Sequence, residues 1–357
     1  MKRRDLLKAT GGAAVAGMIS GAPALLGCRQ EAAPSGPAPA APKNKRQRVL
    51  DLLGEGPAPG YVPAGFFIHF PPEEHVGQAA IDKHVEFFRA TDMDFVKIQY
   101  EAGFPPHPEI EKPEDWAKLP VPGKEFYEAQ VGVVEGLVKE LKAEALVVCT
   151  LYSPFMLACE SMGPERVVAH IEADPEAVRK GLETVTESVL TFVRECARVG
   201  VDGFYASTQG GEAGRFTRPE LFHECIKPSD LVIQNEINDT TLFNILHVCD
   251  YHLPYDDLAP FREYPGDVVN CSLHVGEKTL TPRDASELFG RAFMGGLERK
   301  GIIVDGTPEQ IRGEVERVLA QAADRHILGA DCTLPGDIDW KRIRTAITAA
   351  HEFGVPA

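Results

Sequence analysis

From Tyr61 onward the chain alternates short β-like runs with stretches of helical periodicity, and few folds accommodate eight such alternations. The runs cover residues 62–70, 95–100, 145–152, 201–208, 242–250, 268–274, 292–297 and 326–332. Helical patterns lie between them near 73–91, 124–142, 164–199, 218–227 and 282–288. The 164–199 stretch should break into two helices at Asp174-Pro175, and Pro228 should stop or kink the helix that Thr217 caps. Thr307-Pro308-Glu309-Gln310 is a capping box with Pro at the first helical position. A last helix carries Trp340, Ile343, Ile347 and Ala350 at helical spacing. The pattern predicts an α/β protein, a single-domain (β/α)8 TIM barrel over residues 49–357. The competing arrangement is a doubly wound open sheet. No Gly-x-Gly-x-x-Gly follows the first run, which removes the commonest reason for that fold.

Residues 1–28 read as a targeting segment. Lys2-Arg3-Arg4-Asp5-Leu6-Leu7-Lys8 resembles a twin-arginine export signal, and Leu25-Leu26-Gly27-Cys28 resembles a bacterial lipobox with Cys28 as the lipidated residue. Residues 29–48 are rich in Pro and Ala and read as an extended tether. The expectation is a periplasmic protein, exported by the twin-arginine route and anchored to the membrane through Cys28. Seven cysteines remain after Cys28, an odd number that does not suggest a full disulfide framework. A formal net charge of -16 argues against nucleic acid as a partner, because phosphate neutralisation needs clustered Lys and Arg.

In a barrel of this kind the chemistry sits at the C-terminal ends of the strands. Those ends carry His69, Gln99 with Glu101, Tyr152, Ser207 with Thr208, His247 with Cys249, His274 and Cys332. Each has a bland reading as a rim residue bonded to backbone; together they describe a polar mouth over an apolar barrel. His247 and Cys249 are two apart on an extended chain and so project the same way. With Cys332 they make a His/Cys/Cys set suited to zinc, and three ligands leave a fourth position open, as in a catalytic site. Asp331 and His274 are candidates for extra or supporting ligands. The alternative is that Cys332 is only a small buried residue.

The body of the chain resembles the uroporphyrinogen decarboxylase superfamily. The residues that carry the resemblance are Gly203-Phe204-Tyr205 with the segment 207–211, Leu246-His247-Val248-Cys249, Met294-Gly295-Gly296-Leu297, the 306–311 capping segment, and Ile327-Leu328-Gly329-Ala330 before Cys332. The resemblance implies the (β/α)8 fold. It departs from the true decarboxylases where they carry an arginine-rich segment that grips substrate propionates. Here residues 67–74 hold no Arg and two acids, Glu73 and Glu74. The decarboxylase tyrosine falls on Glu160 and its C-terminal histidine near Asp331.

The other branch, the corrinoid-linked methyltransferases such as methylcobamide–coenzyme M methyltransferase, carries a His-x-Cys pair followed much later by a second Cys. His247, Cys249 and Cys332 match it in type and order. This resemblance implies a zinc-bound thiol attacking a methyl group on a corrinoid, free or held by a corrinoid protein, and leaves the small-molecule acceptor open. His274, Glu101 and Tyr152 are then the expected catalytic residues, with His69, Gln99, Ser207, Gln209 and Glu160 binding substrate. Two alternatives stand beside it: a metal-independent decarboxylase or lyase acting on another acid, and a non-catalytic lipoprotein that binds a tetrapyrrole, corrinoid or metal.

Overall fold

The computed structural model describes residues 44–54 and 60–353. Its strands are β1 (Phe95–Ile98), β2 (Leu146–Tyr152), β3 (Gly203–Thr208), β4 (Ile245–Val248), β5 (Val268–Cys271), β6 (His274–Val275), β7 (Lys278–Thr279), β8 (Ala292–Leu297) and β9 (His326–Ala330). Seven of them form one parallel sheet in the order β1-β2-β3-β4-β5-β8-β9, while β6 and β7 pair as a separate antiparallel hairpin. Helices connect the strands of the sheet except between β4 and β5, where the long connection holds only the short 3-10 turn Ala259–Phe261.

The sheet curls until its two edges share one bridging segment. Leu328 N–H donates to Pro63 O at 2.9 Å and Gly65 N–H to Leu328 O at 3.0 Å, on the β9 side. Asp94 N–H donates to Ala64 O at 2.9 Å, on the β1 side. The architecture is compatible with a (β/α)8 barrel in which residues 62–70 take the first strand position. That run is a single bridge, Ala64 to Leu328, and not the full strand the sequence suggested. Pro63 has no N–H to offer a ladder.

Pleat parity sorts the side chains. Phe95, Val148, Tyr205, Ile245, Val268 and Met294 pack with Phe67 in one cluster inside the curl. Their neighbours Val96, Val147, Phe204, Leu246, Val248 and Val269 belong to the larger cluster that includes the helix faces. Gly203 opens β3 where a Cβ would lie 1.7 Å from Phe243 O, so no side chain fits there.

Several helix expectations hold. Asp174 caps the helix Pro175–Val199 by accepting from Ala177 N–H, which ends the preceding helix Pro164–Ala173. The Thr307 box caps the helix Pro308–Ala320 in both directions. Others need correction. The helix Pro154–Met162, capped by Ser153, follows β2 directly and was not foreseen. Pro228 lies in the first turn of the helix Lys227–Thr240, which continues from the π-turn Phe222–Ile226. The wider turn removes the ring's clash with the preceding carbonyls, so the proline neither stops nor starts the run. Thr217 is not its cap; its N–H is taken by Glu172 at 2.7 Å.

The tether assignment also ends too late. Residues 45–48 begin the helix Lys45–Asp51, which packs at the N-terminal end of the sheet. Arg46 makes a bidentate pair with the buried Asp202, Nη1 to Oδ2 at 2.6 Å and Nη2 to Oδ1 at 2.7 Å. Lys45 Nζ pairs with Asp92 at 2.8 Å. A basic, weakly apolar stretch reads as tether only while its acidic partners, far along the chain, are unknown. Cys28 and the twin-arginine segment lie outside the described residues, among which no helix is long and apolar enough to cross a membrane.

Asp202 also accepts from Val147 N–H at 3.0 Å, so Arg46 balances a carboxylate already committed to the sheet. Replacing Arg46 with Ala leaves that buried carboxylate only the longer pair to Lys142 Nζ at 3.4 Å, and is expected to cost about 2 kcal/mol in urea denaturation. A loss within error of zero would mean that the N-terminal helix contributes nothing to the fold.

Candidate functional site

His247 lies on the inward side of β4, with Ser207 and Asn270 as its register partners on β3 and β5. Cys249 follows two residues on, and its N–H extends the ladder to Thr208 O at 3.0 Å. Cys332 lies just past β9, where Leu334 N–H bonds Phe67 O at 2.8 Å and turns the chain over the mouth. The three side chains converge. Cys332 Sγ is 3.5 Å from His247 Nε2 and 4.0 Å from Cys249 Sγ, and all three ligand atoms lie within 4.8 Å of one another. A tetrahedral zinc with ordinary bond lengths has edges of about 3.8 Å between sulfurs and about 3.6 Å between sulfur and nitrogen. The donor set and its spacing therefore fit a metal ion of this type.

The electrostatics point the same way. Cys332 is held well below the usual thiol range, chiefly because the Cys249 thiol donates to it and secondarily because His247 stands beside it. Cys249 is pushed up correspondingly by sharing that proton and by burial. Gln209 Nε2 donates to Cys249 Sγ at 3.4 Å, a supporting bond that also fixes the amide. Among the described residues His247 Nδ1 is buried without a hydrogen-bond partner. The imidazole is steadied instead by the Tyr205 ring, 4.9 Å away at 32°.

A cavity of about 370 Å³ opens over the three ligands. His69, Glu101, Tyr152, Glu160, Ser207 and Gln209 line it, as the strand ends suggested. His69 Nδ1 sits 3.3 Å from Glu101, and His75 is 3.9 Å from the same carboxylate. Glu160 is exposed at the rim on one side, with its carboxyl facing the cavity. Lost hydration, and then the charge of Glu101, push it up to about 7.

Four expected residues are elsewhere. Gln99 is buried below the cavity; its amide donates to Ile68 O and its Oε1 accepts from Lys97 and Thr150. Its hydrogen-bonding capacity is spent inside the protein. His274 belongs to the β6–β7 hairpin, where it pairs with Glu298 at 2.9 Å and lines a different, smaller cavity with Asp331. β5 ends at Cys271, three residues short of the expected end, so His274 never reaches the mouth. Asp331 is likewise turned away, accepting from Arg299 N–H at 2.8 Å. Thr208 points out of the cavity to the buried Asp230 at 2.5 Å.

The cavity also holds Lys97, Tyr205, Tyr251, His252 and Met156, none of which were singled out from sequence. Lys97 left a signal: it is a charge at an inward position of the otherwise apolar run Phe95-Val96-Lys97-Ile98. Burial pushes it down to about 8, against the pull of Cys332 and Glu101.

Fold and site together define a parallel α/β protein with a buried His/Cys/Cys centre beneath an open, polar pocket. The chain belongs to the uroporphyrinogen decarboxylase (URO-D) family, whose signature matches residues 91–353. Among solved structures it is similar to a methyltransferase from Methanosarcina mazei, with a TM-score of 0.72 at 13% identity over 87% of this chain and 99% of that one. It is also similar to a B12-independent methionine synthase from Shewanella sp. W3-18-1, with a TM-score of 0.54 at 12% identity over 84% of this chain and 95% of that one. At such identities the likeness is one of fold. No curated protein sequence matches the chain.

The Glu160 environment makes a measurable claim. Removing the neighbouring charge with Glu101→Gln should bring the Glu160 carboxyl down from about 7 toward the ordinary carboxylate range, read by carbon NMR of the labelled side chain. A Glu160 titration unmoved by that change would leave lost hydration as the whole cause.

Proposed function

We propose that this protein is a zinc-dependent, methyltransferase-like enzyme that activates a thiol or similar nucleophile to accept a methyl group from a corrinoid. The observation that carries the reading is the convergence of His247, Cys249 and Cys332, their ligand atoms within 4.8 Å of one another, on the wall of the cavity. Zinc held there would act as a Lewis acid that keeps an acceptor thiol ionised near neutral pH.

The chain's own residues supply the rest. Gln209 donates to Cys249 Sγ, orienting it and withdrawing electron density. Tyr205 holds the His247 ring against the strand and is itself fixed by donating to Asn270 Oδ1 at 2.5 Å. Glu160 at the cavity rim, its carboxyl raised to about 7, would take the proton that leaves the acceptor thiol. With a methylated corrinoid as donor, the acceptor sulfur's lone pair would form the S–CH3 bond and the pair from the broken Co–C bond would stay on the corrinoid. The same proposal has the protein exported by the twin-arginine route and anchored through Cys28, with a corrinoid protein as its partner in the periplasm.

One observation favours a second reading. A carboxyl raised to about 7 could also protonate a carbanion left by loss of CO2, as a metal-independent decarboxylase would require. Turnover that survives chelation would select it.

Metal content separates the two. The purified protein is expected to bind one zinc per chain. Supporting ligands alone are worth 10- to 100-fold in affinity, so Cys249→Ser and Cys332→Ser should each weaken binding by more than about 100-fold in a chelator competition. Zinc absent from the wild type, with the two substitutions silent, would sink the metal reading.

A further inference from the structure

The turn that follows β3 encloses an ion pair set apart from the cavity. The Glu212 side chain is fully shielded from solvent and that of Arg215 is 10% exposed. Arg215 Nη2 donates to Glu212 Oε1 at 2.6 Å, and its Nε to Oε2 at 3.0 Å. The guanidinium lies 5.8 Å from the Phe155 ring centroid, which offsets a little of its lost hydration. Neither residue lines the cavity. Two charges taken out of water regain by their attraction little more than they lose, and apolar side chains of similar volume serve a core as well. Stability alone therefore does not account for the pair.

A third bond to Glu212 accounts for it. Oε2 also accepts from Gly210 N–H at 2.7 Å, so one carboxylate ties the start of the turn to Arg215 at its end. Gly210 has φ +105° and packs so closely on Ile226 that a Cβ would lie 2.5 Å from that side chain. Gln209 stands immediately before it. Thr208 O accepts from Cys249 N–H at 3.0 Å, which starts Gln209 beside Cys249, and the turn then sets where its amide goes. That amide meets Cys249 Sγ at 3.4 Å, with the backbone N–H of Tyr251 as a second donor to the sulfur. Guanidinium, carboxylate, Gly210 N–H, Gln209 amide and sulfur thus form a chain in which each link is a hydrogen bond or a single peptide step.

We propose that the Glu212–Arg215 pair is a positioning device for the metal centre: it fixes the turn that aims the Gln209 amide at Cys249 Sγ, and so sets the electron density on that sulfur from outside the cavity. Cys249 as a metal ligand is taken from the metal reading above, on which this assignment rests. An N–H···S bond draws charge off a thiolate bound to a metal. Its loss makes the sulfur easier to oxidise, and the sulfur-to-metal charge-transfer band of a cobalt(II) centre then moves to longer wavelength.

The test loads full-length protein with cobalt(II) in place of zinc and reads that band. Gln209→Met gives the size of the shift when the amide is lost. The double variant Glu212→Met/Arg215→Met replaces the pair by apolar side chains, a change that is often neutral or stabilising for a buried pair. It should melt no lower than wild type, move the band as Gln209→Met does, and weaken zinc about 10-fold in chelator competition, as loss of a supporting bond does. The triple variant should show the shift and the loss once and not twice, because the pair acts through the amide. Glu212→Gln, a gentler change that leaves one acceptor oxygen for two donors, should give part of the shift and carries the test if the double variant does not fold. A wild-type band in the folded pair variants would overturn the proposal, as would effects that add in the triple variant or a band that Gln209→Met leaves unmoved. Wild type that takes up no cobalt would mark the failure of the metal reading, and this assignment would fall with it. Cobalt bound, with a band that responds to Gln209→Met and not to the pair, would be the failure of this assignment alone.

Discussion

His247 of β4 and Cys249 just past its end decide where chemistry can happen in this molecule, and the pleat decides that it is these two. Ile245 faces into the curl of the sheet, so His247 and then Cys249 must as well. The alternate residues Leu246 and Val248 are fully buried with the other apolar cluster, and a one-residue slip of β4 would exchange the two sets. Register is pinned on both sides, with His247 opposite Ser207 and Asn270. Asn270 extends the hold: its amide donates to Met294 O at 2.8 Å and Ala330 O at 2.9 Å, tying the interior of β4 and β5 to the strands that deliver Cys332. The spacing of the three ligand atoms thus depends on the sheet as a whole and not on any local loop.

That dependence explains which parts of the site were legible in the chain. Period-2 runs and a His-x-Cys spacing are local, so the inward direction of His247 and Cys249 could be read directly. Their meeting with Cys332 required only that the sheet curl, which the eightfold alternation already implied. The helix break at Asp174 and the Thr307 cap were legible for the same reason, since each is made by side chains within four residues of its target. Features set by distant partners were not. The basic residues at 45–48 look like tether until Asp202 and Asp92 are placed against them. His274 looks like a strand end until β5 stops at Cys271 and the hairpin begins. Gln99 looks like a ligand-binding amide until the ammonium of Lys97 claims its oxygen.

Lys97 was passed over for a different reason. A charge inside an apolar strand is read first as an exception to the pattern, whereas in a curled parallel sheet the inward positions near the C-terminal edge are the ones open to ligand. Natural chains break local rules mainly at functional sites, where the cost in stability is offset elsewhere. Here the cost is visible: a buried lysine, a buried histidine with one nitrogen unpartnered, and two thiols forced together.

The polar patch is confined, however. Phe67, Phe95, Ile245 and Val268 fill the interior beneath it, and the outer strand faces are apolar apart from Thr208, which bonds Asp230, and His326. A site assembled from side chains of β1, β3 and β4 and the turns after β4 and β9 is held firmly because β3 and β4 are hydrogen-bonded on both sides, β1 pairs with β2, and each turn is tied by a backbone bond. Preorganisation of that kind is what a metal centre needs, since its ligand atoms must be held together against their own repulsion before the ion arrives. It also narrows what can change among proteins sharing this fold. The backbone positions of the triad are fixed by the sheet, whichever side chains they carry. The rim residues His69, Glu101 and Glu160 lie beyond the strand ends, outside the ladder that fixes the triad.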